Sequence, residues 1–194
     1  VYHDLYAPSG ATITVNSTED PGTAGDNYIT LREAIWIATG EMQPQGGEIA
    51  LVSGVYGALR ADTILFDTTV FPPNSPQTIG FTSGPPEIYT GNDTIDGSNA
   101  GVIVDGTNMG GGWLCIYSRG NVLRGLQILN FGCGINIGSA NNMIGGSREI
   151  GSGPMGQGLL ISGTPDGGSS IYLQGDRVTG NQIYGCNIGT DITG

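Results

Sequence analysis

Apolar and polar residues alternate in short runs along most of the chain, and this pattern predicts β-strands. In residues 11–15 the apolar side chains of Ile13 and Val15 fall on one face, with the period of two that a half-buried strand requires. Beyond residue 47 no second helix is predicted, because short apolar runs alternate there with Gly, Asn, Asp and Pro. The strands predicted in this part are 64–66, 77–79, 94–95, 102–104, 114–117, 122–123, 126–128, 135–137, 159–161, 171–173 and 183–188.

One segment has the pattern of an α-helix. Thr30 is a suitable N-cap, and Glu33 follows at the spacing of a capping box. Gly40 supplies a C-terminal stop. A helix of about ten residues is only marginally stable alone, so its apolar face is expected to cover other parts of the protein. That face consists of Leu31, Ala34, Ile35 and Ala38.

A repeated phrase connects three of the later segments. Residues 120–125, 141–146 and 180–185 share the frame Asn-x-(Leu/Ile)-x-Gly; the first two copies are 21 residues apart and the third follows 39 residues later. Strand-sized repeats of this length are typical of a parallel β-helix, in which equivalent residues stack about 4.8 Å apart. The alternative is an antiparallel sandwich with turns rich in Asn and Gly. The stacking predicts an amide ladder and an aliphatic ladder, formed by Asn121, Asn142 and Asn181 and by Leu123, Ile144 and Ile183.

Residues 13–18, 31–35, 94–97 and 187–191, together with the repeated frame, form a recognisable combination of phrases. In this combination the chain resembles bacterial secreted parallel β-helix proteins of the pectate-lyase-like class. Their N-terminal module carries a Cys-Ser-Leu-Arg-Glu-Ala motif, and this chain has Ile29 and Thr30 in place of the Cys-Ser. The resemblance extends over most of the chain, and the cysteine of the motif is absent.

The resemblance implies a fold class and a location. It implies an all-β, right-handed parallel β-helix of about 21 residues per turn with one short N-terminal capping helix. Residues 1–46 are expected to form a strand, a loop and this helix, and residues 47–194 the turns, within a single domain. The protein is expected to be extracellular or at the cell surface. The resemblance implies no reaction, because this fold has several functions.

Composition and charge narrow the classes of partner. Glycine supplies 36 of 194 residues, and 17 acidic residues against six arginines give a net charge of −11. Such a chain is repelled by phosphate backbones and by anionic lipid, so we expect neither nucleic-acid binding nor membrane insertion. The three cysteines match no zinc pattern, and their odd number leaves at least one free thiol in a monomer. They are Cys115, Cys133 and Cys186.

The residues suited to catalysis do not form a convincing set. Enzymes of the resembled class use either paired carboxylates or a base beside calcium. The hydrolase motifs are absent, and the single histidine, His3, lies outside the repeats. We therefore assign no catalytic, cofactor or metal residue and expect no cofactor. The arginines that a lyase could use as a base are Arg119, Arg124, Arg148 and Arg177.

Three further groups of residues remain as candidates for binding or modification. Asp93, Asp96 and Asp105 form the densest acidic patch, and residues 92–97 faintly resemble a calcium loop without the twelve-residue frame of an EF-hand. Asn16 and Asn92 begin glycosylation sequons. By strand parity the rings of Tyr117 and Tyr184 point outward, where they would be able to stack on sugars.

The ends of the predicted fold favour assembly. The helix is expected to cap one end, whereas residues 191–194 stop within the repeat and leave backbone groups that invite another chain. Residues 1–11 are a candidate exchanged strand. The expected function is therefore a non-catalytic, extracellular or cell-surface structural or adhesive protein that self-assembles end to end into filaments. The expected partners are copies of itself, by stacking or strand exchange, and extracellular polysaccharide; the alternative is a polysaccharide lyase or a glycan-binding module.

Overall fold

Short strands dominate the computed structural model, which describes residues 7–20, 22–84, 86–109 and 114–194. Its helices are α1 (Leu31–Thr39) and two 3-10 helices, Gly46–Leu51 and Thr107–Met109. The strands are β1 (Ser9–Val15), β2 (Val52–Ser53), β3 (Ala61–Phe66), β4 (Gln77–Gly80), β5 (Thr94–Asp96), β6 (Val102–Asp105), β7 (Leu114–Ile116), β8 (Val122–Arg124), β9 (Leu126–Leu129), β10 (Cys133–Ile137), β11 (Met143–Gly145), β12 (Leu159–Ser162), β13 (Ser169–Leu173), β14 (Gln182–Tyr184) and β15 (Cys186–Ile188).

The strands form three separate sheets. A seven-stranded sheet has the order β14-β11-β8-β5-β3-β1-β2, a five-stranded sheet the order β15-β12-β9-β6-β4, and a three-stranded sheet the order β13-β10-β7. The pairings are parallel, except that β1 and β2 run antiparallel. From β4 onward each strand lies in a different sheet from the strand before it in the chain, whereas β1, β2 and β3 share the seven-stranded sheet.

The predicted fold class, an all-β right-handed parallel β-helix with a 21-residue turn, is wrong. The described residues form three sheets of parallel and mixed strands together with helical segments, and these sheets do not close into a solenoid, so the arrangement is a mix closer to α/β. The number of residues between paired positions of neighbouring strands is not uniform either. Val122 pairs with Met143, 21 positions later, whereas Thr63 pairs with Thr94, 31 positions later. The repeated frame marks strands of the seven-stranded sheet alone, so it did not define the other sheets or their connections.

Helix α1 has the limits that its sequence predicts. The Thr30 side chain accepts a hydrogen bond from the Glu33 N–H, the Glu33 carboxylate accepts one from the Thr30 N–H, and Gly40 ends the helix in the left-handed conformation. The helix packs on β1 and β3. The prediction of no helix beyond residue 47 is wrong for the two 3-10 helices. Within the described residues no helix combines the length and the apolar character needed to cross a bilayer.

The core contains the predicted aliphatic ladder. The side chains of Leu123 and Ile144 are buried and in register on neighbouring strands, and Ile183 follows in register on β14. On the other side the ladder continues through Ile95 and Ile64, which are also buried. Because paired residues share a face of the sheet, these side chains pack against one another in one row.

Arg32 connects α1 to the loop after β4. Its guanidinium forms a two-point ion pair with the carboxylate of Asp20 and donates to the carbonyls of Ser83 and Gly84. It also lies 5.2 Å from the ring centroid of Phe81. A planar guanidinium satisfies these acceptors together, which an ammonium group cannot do. Arg32 therefore holds the helix against residues about 50 positions later in the chain.

We expect Arg32→Lys to lower the free energy of unfolding by about 1–3 kcal/mol, because the buried Asp20 carboxylate loses its two-point partner. Urea denaturation at pH 7, followed by circular dichroism, measures the change. The matched control is Arg60→Lys, because the hydrogen bond from the Arg60 guanidinium to the Ser9 carbonyl is long, at 3.5 Å, and exposed to solvent. We expect the control to change stability by less than about 0.5 kcal/mol; equal losses in the two variants would contradict the role of Arg32.

Candidate functional site

A row of polar side chains, four of them buried, runs across the seven-stranded sheet. Its members stand one residue before five paired positions, so that one member lies in β3 and the other four immediately precede β5, β8, β11 and β14. The paired positions are Thr63, Thr94, Val122, Met143 and Gln182. We call this row the polar ladder. It consists of Asp62, Asp93, Asn121, Asn142 and Asn181.

Each rung of the polar ladder satisfies a backbone group of the preceding strand. The Oδ1 atom of a rung accepts a hydrogen bond from the backbone N–H at the equivalent position of the strand before it, beginning with Ala11 N–H to Asp62 Oδ1. The five N···O distances lie between 2.5 and 3.1 Å. Buried amide groups need such partners, and an unpaired one costs about 1–3 kcal/mol. The predicted amide ladder of Asn121, Asn142 and Asn181 is confirmed, and two aspartates extend it.

Three of the rungs make a second side-chain contact three residues back in the chain. Asn121 Nδ2 donates to the carbonyl and hydroxyl of Ser118, both at 3.0 Å. In the same place Asp93 Oδ2 hydrogen-bonds the Thr90 hydroxyl at 3.0 Å. Asn142 Nδ2 donates to the Ser139 carbonyl, 3.4 Å away. The aspartate therefore occupies a position built like those of its asparagine neighbours.

The residue before a rung turns the chain into the strand. Asn92, Gly120, Asn141 and Gly180 precede four of the rungs and have φ values of 64°, 77°, 60° and 68°. This left-handed region favours Gly and tolerates Asn. The local frame is therefore (Gly/Asn)-(Asn/Asp)-x-(Leu/Ile)-x-Gly.

Residues 92–97 are a fourth copy of that frame, which the sequence analysis considered instead as a faint calcium loop. Asp93 is a rung of the polar ladder, and Asp96 Oδ2 lies 2.7 Å from an Arg124 nitrogen. Among the described residues no group of three or more His, Cys, Asp or Glu is placed to hold a metal ion. The frame with asparagine at its first position does not include Asp93, whereas the frame with Asn or Asp at that position matches residues 93–97.

Burial governs the electrostatics of the two aspartate rungs. The Asp93 side chain is 4% exposed and lines a cavity beneath α1 with space for about one water molecule. Desolvation raises the pKa of Asp93 to about 7, and the nearby Asp62 carboxylate acts in the same direction. Burial also raises the pKa of Asp62, although the N–H groups of Gly57 and Ala11 oppose the rise. From α1 the cavity is lined by the uncharged side chains of Ile35, Ala38 and Thr39.

The candidate catalytic arginines are not brought together in one site. Arg124 pairs with Asp96 across neighbouring strands, and this pairing contributes to the lowered pKa of Asp96. Arg148 donates to Asn187 at 3.0 Å, and Arg177 is exposed in the loop before β14. Asp105 lies in a different sheet, where it accepts a hydrogen bond from Asn130. Arg119 also interacts with another group of the protein. His3 lies outside the described residues.

The two tyrosines proposed for sugar stacking lie beside different sheets. Tyr117 follows β7 and is half-exposed, and its hydroxyl accepts a hydrogen bond from Asn136 Nδ2 at 3.1 Å. Hydrogen bonding with Cys115 is the main cause that raises the pKa of Tyr117 to about 12. Tyr184 is exposed on β14. None of the three cysteines forms a disulfide bond.

One end of the molecule leaves inward-facing positions uncovered. Ile183 on β14 is 39% exposed although its partner Ile144 is fully buried, and the same contrast holds for Ile188 on β15, at 44%, and its buried partner Ile161. Leu173 on β13 is 47% exposed. The strands β13, β14 and β15 are edge strands of their three sheets. We call these three strands the free edge.

The other end of the seven-stranded sheet is covered. The short strand β2 pairs antiparallel with β1 and forms the outer strand there. Helix α1 packs over β1 and β3. The segment considered for strand exchange, residues 1–11, lies partly outside the described residues, and its last three residues begin β1 and lie beside β3. Within the seven-stranded sheet, β14 is therefore the outer strand that pairs in parallel with its neighbour and has an exposed isoleucine on its inward-facing side.

No protein-family model, curated protein or solved structure matches this chain. The resemblance to secreted β-helix proteins therefore stays a prediction from the sequence.

Proposed function

We propose that this protein is a non-catalytic structural or adhesive module, extracellular or at the cell surface, that associates with copies of itself through its free edge. The observation that carries the proposal is the exposure of Ile183, Ile188 and Leu173 at positions that are buried one strand further in. The net charge of −11 favours partners other than nucleic acid or anionic membranes.

The chemistry of the free edge supports association. An edge strand presents a row of backbone N–H and C=O groups that can pair with another strand. Burying an isoleucine or leucine side chain stabilises a complex by about 1.5–3 kcal/mol. Exposed apolar side chains and available backbone groups occur together on β13, β14 and β15, so one docking event would satisfy both.

We expect sedimentation velocity between about 1 and 100 µM to show concentration-dependent association. Ile183→Lys is expected to weaken this association at least tenfold, because it places a charge where an apolar contact would form. The matched control is Leu59→Lys, since Leu59 is an exposed leucine outside the free edge. A monomer at every concentration, or equal effects of the two variants, would contradict the proposal.

A further inference from the structure

A short extended segment runs beside β7 and adds a tyrosine to the outer face of the three-stranded sheet. Ile88 and Ile116 form a parallel bridge, and the Ile88 carbonyl accepts the Tyr117 N–H at 2.9 Å. Ile88 is buried, whereas Glu87 and Tyr89 are exposed. Because side chains alternate between the two faces of a strand and paired residues share a face, Tyr89 lies beside Tyr117 on the outer face.

Both tyrosine rings are held in place and yet remain partly exposed. The Tyr117 hydroxyl accepts a hydrogen bond from Asn136 Nδ2 at 3.1 Å. The Tyr117 ring lies over Gly138, where a Cβ atom would come within 2.5 Å of the ring carbon Cδ1. The Tyr89 hydroxyl donates to the Glu41 carboxylate. Tyr89 and Tyr117 are 49% and 42% exposed, so their rings are available to a ligand and lose little side-chain freedom when it binds.

Two carboxylates lie close to these rings. Hydrogen bonding to Glu41 is the main cause that raises the pKa of Tyr89, and the Glu87 carboxylate acts in the same direction. Glu87 also adds to the rise in the pKa of Tyr117, whose main cause is the hydrogen bond with Cys115. The whole chain has 17 acidic residues against six arginines. A ligand at this surface therefore gains from positive charge and loses from negative charge.

We propose that this surface, which we call the tyrosine face, binds an arginine-containing basic segment of a partner protein. The tyrosine face consists of Glu41, Glu87, Tyr89 and Tyr117. A guanidinium group stacks on an aromatic ring by cation–π attraction and also pairs with a carboxylate. An acidic polysaccharide would be repelled by both carboxylates, and a neutral sugar would use the rings but not the charge. The inference goes beyond the proposed function, because the tyrosine face lies outside the free edge.

Fluorescence anisotropy tests the inference, with a labelled peptide of alternating Arg and Gly titrated with the full chain at low ionic strength. Tyr89→Leu and Tyr117→Leu are each expected to weaken binding about twofold to fivefold, because leucine stays apolar but has no π system. Glu87→Gln is expected to weaken binding by about the same factor, since it removes one charge and keeps the shape.

The matched controls are Tyr184→Leu and Glu149→Gln. Tyr184 is an exposed tyrosine on β14, and Glu149 is an exposed glutamate in the loop before β12. Both variants should bind the peptide like the parent protein. A peptide with Lys in place of Arg should bind more weakly than the Arg peptide, because an ammonium group does not stack on a ring as a planar guanidinium does.

The outcomes distinguish this inference from the proposed function. An absence of peptide binding, or equal effects of the tyrosine-face variants and the controls, overturns the inference. A loss of binding in Tyr184→Leu alone would place the peptide at the free edge and overturn it as well. Competition by maltohexaose, a neutral oligosaccharide, that Tyr117→Leu abolishes would assign the rings to sugars instead. Sedimentation of the chain alone tests only the free edge, so either proposal can fail without the other.

Discussion

Asp93→Asn is expected to raise the free energy of unfolding at pH 8 by about 2–4 kcal/mol. The pKa of Asp93 is about 7 in the folded protein against 3.8 for an exposed aspartate. Between these values the folded state binds more protons than the unfolded state, so the contribution of Asp93 to stability falls as pH rises from about 4 to 7 and then levels off. Asparagine removes this dependence because it has no proton to lose.

The local geometry favours the amide. In the variant Oδ1 would still accept the Asp62 N–H, and Nδ2 would donate to the Thr90 hydroxyl as Asn121 Nδ2 donates to Ser118. The next rung, Asn121, has an asparagine in an equivalent environment, which shows that this position accommodates the amide side chain. The stabilisation is therefore expected without rearrangement of β5.

Urea denaturation of both proteins at pH 4, 6 and 8 measures the effect. We expect nearly equal stabilities at pH 4 and a difference that grows up to pH 8. The matched control is Asp166→Asn, which removes one charge from an exposed loop and should leave the pH profile nearly unchanged. A gain that is the same at all three pH values would refute the assignment to Asp93 ionisation.

Asn121→Ala is expected to lower the free energy of unfolding by about 2–4 kcal/mol. The variant leaves the buried Asp93 N–H without its acceptor and removes the donor to the Ser118 carbonyl. Alanine offers no replacement for either group, and the site lies where little water is available. Loss of the central rung should therefore lower the free energy of unfolding more than an ordinary surface substitution does.

Chemical denaturation at pH 7 checks this loss, with Asn108→Ala, at an exposed asparagine, as the control. A second variant, Asn121→Asp, tests the same position if the alanine variant folds poorly. We expect Asn121→Asp to be less stable at pH 8 than at pH 5, because it adds a third buried carboxyl group to the ladder. A loss below about 1 kcal/mol for Asn121→Ala would show that the rung is not needed for stability.

Local patterns were sufficient for α1 and for most of the strands, but they missed the two 3-10 helices and β2 and joined β14 and β15 into one predicted strand. The capping box of Thr30 and Glu33 and the stop at Gly40 defined α1, because capping depends on residues a few positions apart. The apolar runs placed the strands to within a few residues. The repeated frame also placed Asn121, Asn142 and Asn181 in one row, since identical phrases occupy identical positions on neighbouring strands.

Contacts between residues far apart in the chain could not be predicted from such local patterns. The partners of Arg32 lie 12 to 52 positions away, and no pattern within α1 points to them. Asp62 has neither a left-handed residue before it nor the glycine of the frame after it. Only the register of the next residue, Thr63, with Thr94 and the hydrogen bond from the Asp62 N–H to Asp93 show that it is a rung. The fold class was wrong because one repeat was extended to sheets that do not contain it.

The amino-acid sequence alone determined the helix, the strand positions and the asparagine rungs, because these depend on neighbours or on repeated phrases. The tertiary structure alone decided the three sheets, the raised pKa of Asp93 and the exposure of Ile183. Each of these depends on which distant residues pack against a position, since desolvation and strand pairing are set by surroundings rather than by local spacing.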